Sequence, residues 1–325
     1  MPNCVAHALC GEVALNGDYD HLRAIIDKNK AAFFLGCQGP DFLMYYRILP
    51  WQKQKGAKRI REIADDIHDH KINEFFKNLL EETSKRKNEA LIAYTAGFLC
   101  HHSLDSIAHP MIFYFTDSVN GNIGYAHQMY ESQLDIGILQ AYKLTTKDYR
   151  IDKRIMRIKQ GKDIIAQVMN KVIKETYDID VSELQLKECL DNMAHVVKIL
   201  TDTNGRRYRS IEKLENIFQV KGMGTSMMVP TDYDNKLDAM NYRGSKWYYP
   251  ADKSITSNSD FTQLFSQAIQ ETRDKFSLLD RLVNGQDVIE DLLKVINDRG
   301  FCTGLSSEPK MYYFYKDHKQ DEVSL

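Results

Sequence analysis

The sequence predicts an all-α protein built as a bundle of many helices, on three observations. Apolar residues recur at helical spacing through most of the 325 residues. Only 17 glycines and 7 prolines interrupt them, too few for the many tight turns of an all-β chain. Hydrophobic residues (43%) and charged residues (27%) stand in the proportion of an ordinary globular protein with a sizeable core.

The elements follow in order. Residues 3–15 and 20–30 read as two short helices broken at Asn16-Gly17-Asp18. Phe33-Phe34-Leu35-Gly36-Cys37-Gln38-Gly39-Pro40-Asp41 is a buried run that ends in a Gly-Pro-Asp loop. Residues 57–84 are amphipathic, with Ile60, Ile63, Ile67, Phe75, Phe76 and Leu79 on the apolar side. Residues 88–109 form an apolar helix that Pro110 is expected to end or kink, because proline lacks the N–H of a helix interior. A loop over 116–124 leads into a helix over 125–143, and further helices are expected at 150–176, 182–202 and 207–218. Residues 221–260, with Gly222, Gly224, Gly244, Pro230 and Pro250, read as the longest irregular stretch. Helices resume at 260–280 and 284–299, and the tail 315–325 is polar. There is no internal repeat.

Chemistry gathers in two of these helices. His101, Asp105 and His109 are spaced i, i+4, i+8, and each such step turns the helix by only about 40°, so they form one stripe. A polar stripe on so apolar a helix is costly to bury unless something neutralises it, and a divalent cation would do so. His127, Glu131 and Asp135 repeat the spacing on the next helix. Facing helices that offer imidazole and carboxylate can build a multinuclear metal site, and that donor set suits zinc, with iron, nickel or manganese as alternatives. His102 points about 100° away from His101 and reads as a packing residue. His21, His195 and His318 read as ordinary surface or core histidines.

Other features exclude classes of function. The six cysteines (Cys4, Cys10, Cys37, Cys100, Cys189 and Cys302) are scattered, with neither a disulfide framework nor zinc-finger spacing. The net charge of −2 gives no basic footprint for nucleic acid. No apolar run reaches the ~18 residues of a membrane span, and the N-terminus shows no signal-peptide pattern. A cytoplasmic protein is expected.

Taken together in order, the pieces resemble the zinc-dependent phospholipase C family, the α-helical proteins that include bacterial phospholipases C and the clostridial alpha-toxins. The resemblance rests on His7, on Leu-Gly-Cys-Gln-Gly-Pro-Asp ending at Asp41, on His68 in Ile-His-Asp-His, on Gly97 through His101 and Asp105 to His109-Pro110, and on His127-x-x-x-Glu131. It covers residues 1–140. It implies a helical bundle of the phospholipase C and P1 nuclease type with a metal cluster between helices. Asp41, His68 and His101 would hold one zinc, and Asp105 would bridge it to a neighbour. His109, His127 and Glu131 would hold a second zinc. His7 would help to hold a third beside Asp105. Asp41 would also serve in catalysis, and Asp135 would orient His127 or Glu131. His70 competes with His68 for its role, and Tyr46 and Arg47 lie close enough to Asp41 to meet a phosphate. Two features depart from the family pattern. Secreted members use the amino group of a processed N-terminus as a ligand, and many relatives place the zinc histidine after the proline.

The resemblance implies a zinc-dependent phosphodiester hydrolase that uses metal-activated water on a phospholipid or a related phosphodiester. Its alternatives are a nuclease or phosphatase on the same helical site, since related folds cleave nucleic acid, and a non-catalytic protein stapled by metal. Residues 1–205 are expected to form the metal-binding catalytic domain. Residues 206–325 would then be a helical extension packed on it.

Overall fold

The computed structural model describes residues 4–49, 52–53, 55–116, 125–220, 222, 224–306 and 310–317. Among these, twelve α-helices follow one another: α1 (Cys4–Ala14), α2 (Asp20–Lys28), α3 (Lys30–Gly36), α4 (Ala57–Asp69), α5 (Ile72–Arg86), α6 (Glu89–Thr116), α7 (Tyr125–Ala141), α8 (Lys162–Tyr177), α9 (Glu183–Leu200), α10 (Arg206–Phe218), α11 (Phe261–Val283) and α12 (Ile289–Ile296). The chain is therefore all-α, as its periodicity predicts. The loop expected over 116–124 and the tail with His318 fall almost wholly outside the described residues.

The fold is organised around α6. This helix is apolar on every side and buries nearly all of its residues, the pattern of a helix at the centre of a bundle. Helices α3 and α11 lie along it, and α1, α2, α5, α7 and α8 complete its surroundings. Gly97 sets how closely α3 can approach. A Cβ there would fall 2.2 Å from the Phe33 carbonyl oxygen and 2.5 Å from the Cys37 nitrogen. Helices α9 and α11 each begin with a capping box, Ser182 with Gln185 and Asp260 with Gln263.

Several expectations change. Pro110 lies inside α6, and the helix runs on to Thr116. The carbonyl of Ser106, which the proline cannot reach with an N–H, packs against the backbone of Gly304 instead. A Cβ at 304 would come within 2.3 Å of that oxygen. Tertiary packing on both sides of the proline outweighs the local preference. The amphipathic stretch 57–84 is two helices rather than one, because His70 is extended and Lys71 is left-handed (φ 53°). The helix expected from 150 begins only at Lys162, after a 3-10 turn over Ile151–Lys153. The second C-terminal helix shrinks to Ile289–Ile296.

The stretch expected to be irregular carries a hairpin, β1 (Trp247–Tyr249) with β2 (Asp252–Ser257), antiparallel, with a register irregularity at Tyr248/Tyr249. A three-residue strand is too short to show alternation. Trp247 is buried and its indole N–H donates to the Ser259 carbonyl at 3.1 Å. Among the described residues no helix is long and apolar enough to cross a membrane.

Candidate metal centre

Five elements bring their polar groups together, with α6 at their centre. Helix α6 supplies His101, Asp105 and His109. Helix α1 supplies His7, and the last turn of α4 supplies His68. Asp41 comes from a 3-10 turn over Gly39–Tyr45. Gly39 makes that turn possible. Its φ is +50°, and a Cβ there would strike the His101 ring at 2.0 Å. Helix α7 supplies His127 and Glu131, both buried.

Asp105 is the hub. Its Oδ1 lies 3.1 Å from His7 Nε2 and 3.7 Å from His109 Nε2, while its Oδ2 lies 2.9 Å from His101 Nε2 and 3.9 Å from His68 Nε2. His68 Nε2 also lies 3.3 Å from Asp41 Oδ1. On the far side, Glu131 Oε1 lies 3.3 Å from His127 Nε2 and 3.5 Å from His109 Nε2. Three groups have ligand atoms within 4.8 Å of one another: Asp41–His68–His101, His7–His101–Asp105, and His109–His127–Glu131.

The outer nitrogens of the rings fix the tautomers. His68 Nδ1 donates to the Ala64 carbonyl (2.7 Å), His101 Nδ1 to Cys37 (3.2 Å) and His109 Nδ1 to Phe301 (3.0 Å), and a carbonyl can only accept. His127 Nδ1 faces the Thr116 hydroxyl at 3.1 Å, and that hydroxyl donates onward to the Ile112 carbonyl at 2.8 Å. In the neutral ring all four histidines therefore present a lone pair at Nε2, aimed at carboxylate oxygens. Two lone pairs facing each other at 2.9–3.5 Å in a buried site repel unless a cation sits with them. His101 Nε2 is buried with no hydrogen-bond partner among the described residues, although Asp105 is adjacent. Imidazole and carboxylate donors with no thiolate in these groups are a set that fits zinc.

The charges agree. Burial works against an ionised Asp105, but the imidazoles of His101, His109 and His7 outweigh it and hold the carboxyl well below the usual range. Despite burial, Glu131 is held down by His127 and His109, and Asp41 by His68 and His101. Burial pulls the His68 imidazole down, yet Asp41 and Asp105 push it up to about 9. His109, likewise opposed by burial, is pushed up to about 9 by Asp105 and Glu131. Without a cation, the carboxylates draw protons onto these two rings.

Asp135 is placed differently from expectation. Its carboxylate accepts from the backbone N–H groups of Ala6 (2.8 Å) and Val5 (3.2 Å), so it holds the first turn of α1 rather than His127 or Glu131. His70 is exposed at the end of α4, and His68 is the residue that faces the centre. Arg47 donates to the carbonyls of Lys53 and Lys55.

Residues far from these in sequence also hold the centre. Phe301 gives its N–H to the His68 carbonyl (2.9 Å), takes Nδ1–H of His109 on its own carbonyl, and packs its ring 5.2 Å from that of His68 and 5.7 Å from that of His101. A buried network fastens this loop to α6. Lys275 Nζ donates to His102 Nδ1 and Ser103 Oγ, both at 2.8 Å, and forms an ion pair with Glu271 Oε1 at 2.8 Å, while His102 Nε2 donates to the Arg299 carbonyl at 2.9 Å. The signal for Lys275 was present: a lysine in the apolar stripe of α11, between Thr272 and Phe276.

The family model for zinc-dependent phospholipase C matches residues 5–191. No curated protein matches, and no solved structure does.

Proposed function

The chain belongs to the zinc-dependent phospholipase C family, and from that premise we propose that it hydrolyses the phosphodiester of a phospholipid or a related molecule. Water adds to phosphorus, the bond from phosphorus to the alcohol oxygen breaks, and that oxygen takes up a proton. The observation that supports this reading best is the position of Asp105, whose two oxygens lie between Asp41–His68–His101 on one side and His109–His127–Glu131 on the other.

In this reading Asp41, His68 and His101 would hold one zinc and His109, His127 and Glu131 a second, Asp105 would serve both, and His7 with Asp105 would help to hold a third; His101, with one lone pair, would serve only the first. Zinc would supply a bound water acidic enough to ionise near neutral pH and positive charge against the phosphoryl oxygens. The histidines orient through the carbonyls and the hydroxyl that hold their Nδ1 atoms, so they reach the reacting end in one tautomer. Asp41 is the most exposed of the carboxylates, its side chain 17% accessible. It would accept a proton at the oxygen turned away from His68. Phe301 packs against His68 and Phe113 against His109, so an apolar wall borders each of these imidazoles.

The test is hydrolysis by the zinc-loaded protein of phosphatidylcholine, single-stranded DNA and bis-p-nitrophenyl phosphate, with and without chelator. The expected result is chelator-sensitive release from phosphatidylcholine and the small diester, with little from DNA. Preference for DNA would make the protein a nuclease. Stoichiometric zinc with no turnover of any substrate would make it a metal-stapled protein.

A further inference from the structure

Helix α10 buries one side chain fully, and that side chain is an acid, Glu215, while Tyr208 and Ile211 are half-buried. Its C-terminal end exposes large apolar groups in close succession. Leu214 is 53% accessible, Ile217 72%, Phe218 69%, and Val220 just beyond the helix 40%. Single exposed apolar residues are ordinary, but four within seven positions at one tip are not. The other half of the helix exposes Arg206, Arg209 and Lys213. On the helical wheel this basic edge adjoins the apolar edge.

The tip is tied to the metal centre. Glu215 accepts from the N–H groups of Gly222 (3.0 Å) and Thr225 (2.8 Å) and from the Thr225 hydroxyl (2.7 Å). The next residue, Ser226, donates through Oγ to Gln128 (2.9 Å) and accepts on its carbonyl from Ser132 (2.7 Å). Gln128 and Ser132 directly follow His127 and Glu131. These hydrogen bonds connect the apolar tip to α7.

We propose that the C-terminal tip of α10 docks on the surface of an anionic phospholipid bilayer, and so brings the metal centre to lipid. Leu214, Ile217, Phe218 and Val220 enter the interface, Lys213 rests at headgroup level, and Arg209 and Arg206, about 14 and 18 Å from Phe218 along the axis, face the anionic surface from the water side. Lys213 and Phe218 are about 7 Å apart along the axis, within the ~5–10 Å to which interfacial helices sink. Charge selects this occupant: an exposed basic edge beside apolar side chains fits lipid phosphate above acyl chain. A protein partner would need on the order of 800 Å² of the surface, more than one helix tip of four side chains offers. The docking step rests on the hydrolase reading only for its purpose.

The test is flotation of the zinc-loaded full chain with phosphatidylcholine–phosphatidylglycerol vesicles and with phosphatidylcholine vesicles. Wild type should float with the anionic vesicles. Replacing Ile217 and Phe218 by serine (I217S/F218S) should lower partition by about tenfold or more. R206Q/R209Q/K213Q should remove the preference for anionic vesicles, by about fivefold per charge. Both variants alter exposed side chains and should keep wild-type melting temperature and hydrolysis of bis-p-nitrophenyl phosphate. Wild type that stays in the soluble fraction, or I217S/F218S that floats like wild type, overturns the proposal. So does a wild-type dimer by light scattering that I217S/F218S dissociates, with no flotation. Tip-dependent flotation by a protein that hydrolyses no phosphodiester keeps the docking and overturns the hydrolase reading.

Discussion

His109 Nδ1 lies 3.0 Å from the carbonyl oxygen of Phe301, a residue 192 positions away and outside the segment that the family model matches. A candidate ligand at the heart of α6 is oriented by a loop near the C-terminus. The same residue closes α4 by giving its N–H to the carbonyl of His68, which the end of the helix would otherwise leave unpaired. The C-terminal third is therefore part of how the centre is held.

Phe301→Ala should cost about 3–5 kcal/mol, the usual loss for a fully buried phenylalanine. It should also weaken zinc binding, because the loop that fixes His109 and His68 loses its packing. Urea unfolding with and without zinc checks both. A variant that loses stability but retains wild-type zinc affinity would show that the loop supports the fold and not the centre.

Asp105→Asn replaces the shared carboxylate by a group of the same shape with one acceptor oxygen and an NH₂. The variant should lose at least one equivalent of zinc by elemental analysis and nearly all phosphodiester hydrolysis. Retention of the full zinc complement would sink the bridging role.

How much of this was legible depended on how local the signal was. The stripes on α6 and α7 were visible because four-residue spacing is a property of one helix. The same rule fails for Asp135. Two steps of four rotate about 80° from His127 and descend two turns, which carries its carboxylate to the first turn of α1. Pro110 obeyed no local rule, because the carbonyl it frees is covered by Gly304 from the far end of the chain. Phe301 orients His109 and closes α4 through backbone atoms, which carry no residue signature. Lys275 could have been noticed, since a buried charge on an apolar stripe requires partners, yet its partners lie on α6 and were not readable from α11.

Thr116→Val tests the tautomer of His127. Valine keeps the shape but offers no acceptor for the Nδ1–H, so zinc affinity at His109–His127–Glu131 should fall by about 10–100-fold. The Asp41–His68–His101 group should be unaffected, and Thr116→Ser should restore binding. Competition against a chromophoric chelator reads the two classes of site. Equal affinity in Thr116→Val would mean that the hydroxyl does not hold the ring.

The raised imidazoles predict a pH dependence of opposite sense with and without metal. In the chelated protein His68 and His109 are pushed from an ordinary value of 6.5 up to about 9. A group whose pKa is higher in the folded state binds its proton more tightly there, so its contribution is complete below the unfolded value. It is lost as pH rises through the folded value. The chelated protein should therefore lose stability between pH 6.5 and about 9, by up to on the order of 3 kcal/mol for each ring. Zinc competes with those protons for the same Nε2 atoms, so zinc uptake should release protons in this window and zinc affinity should rise across it. Urea midpoints against pH, measured in chelator and in excess zinc, separate the two states. A chelated protein whose stability is flat across the window would show that Asp41, Asp105 and Glu131 do not hold protons on these rings.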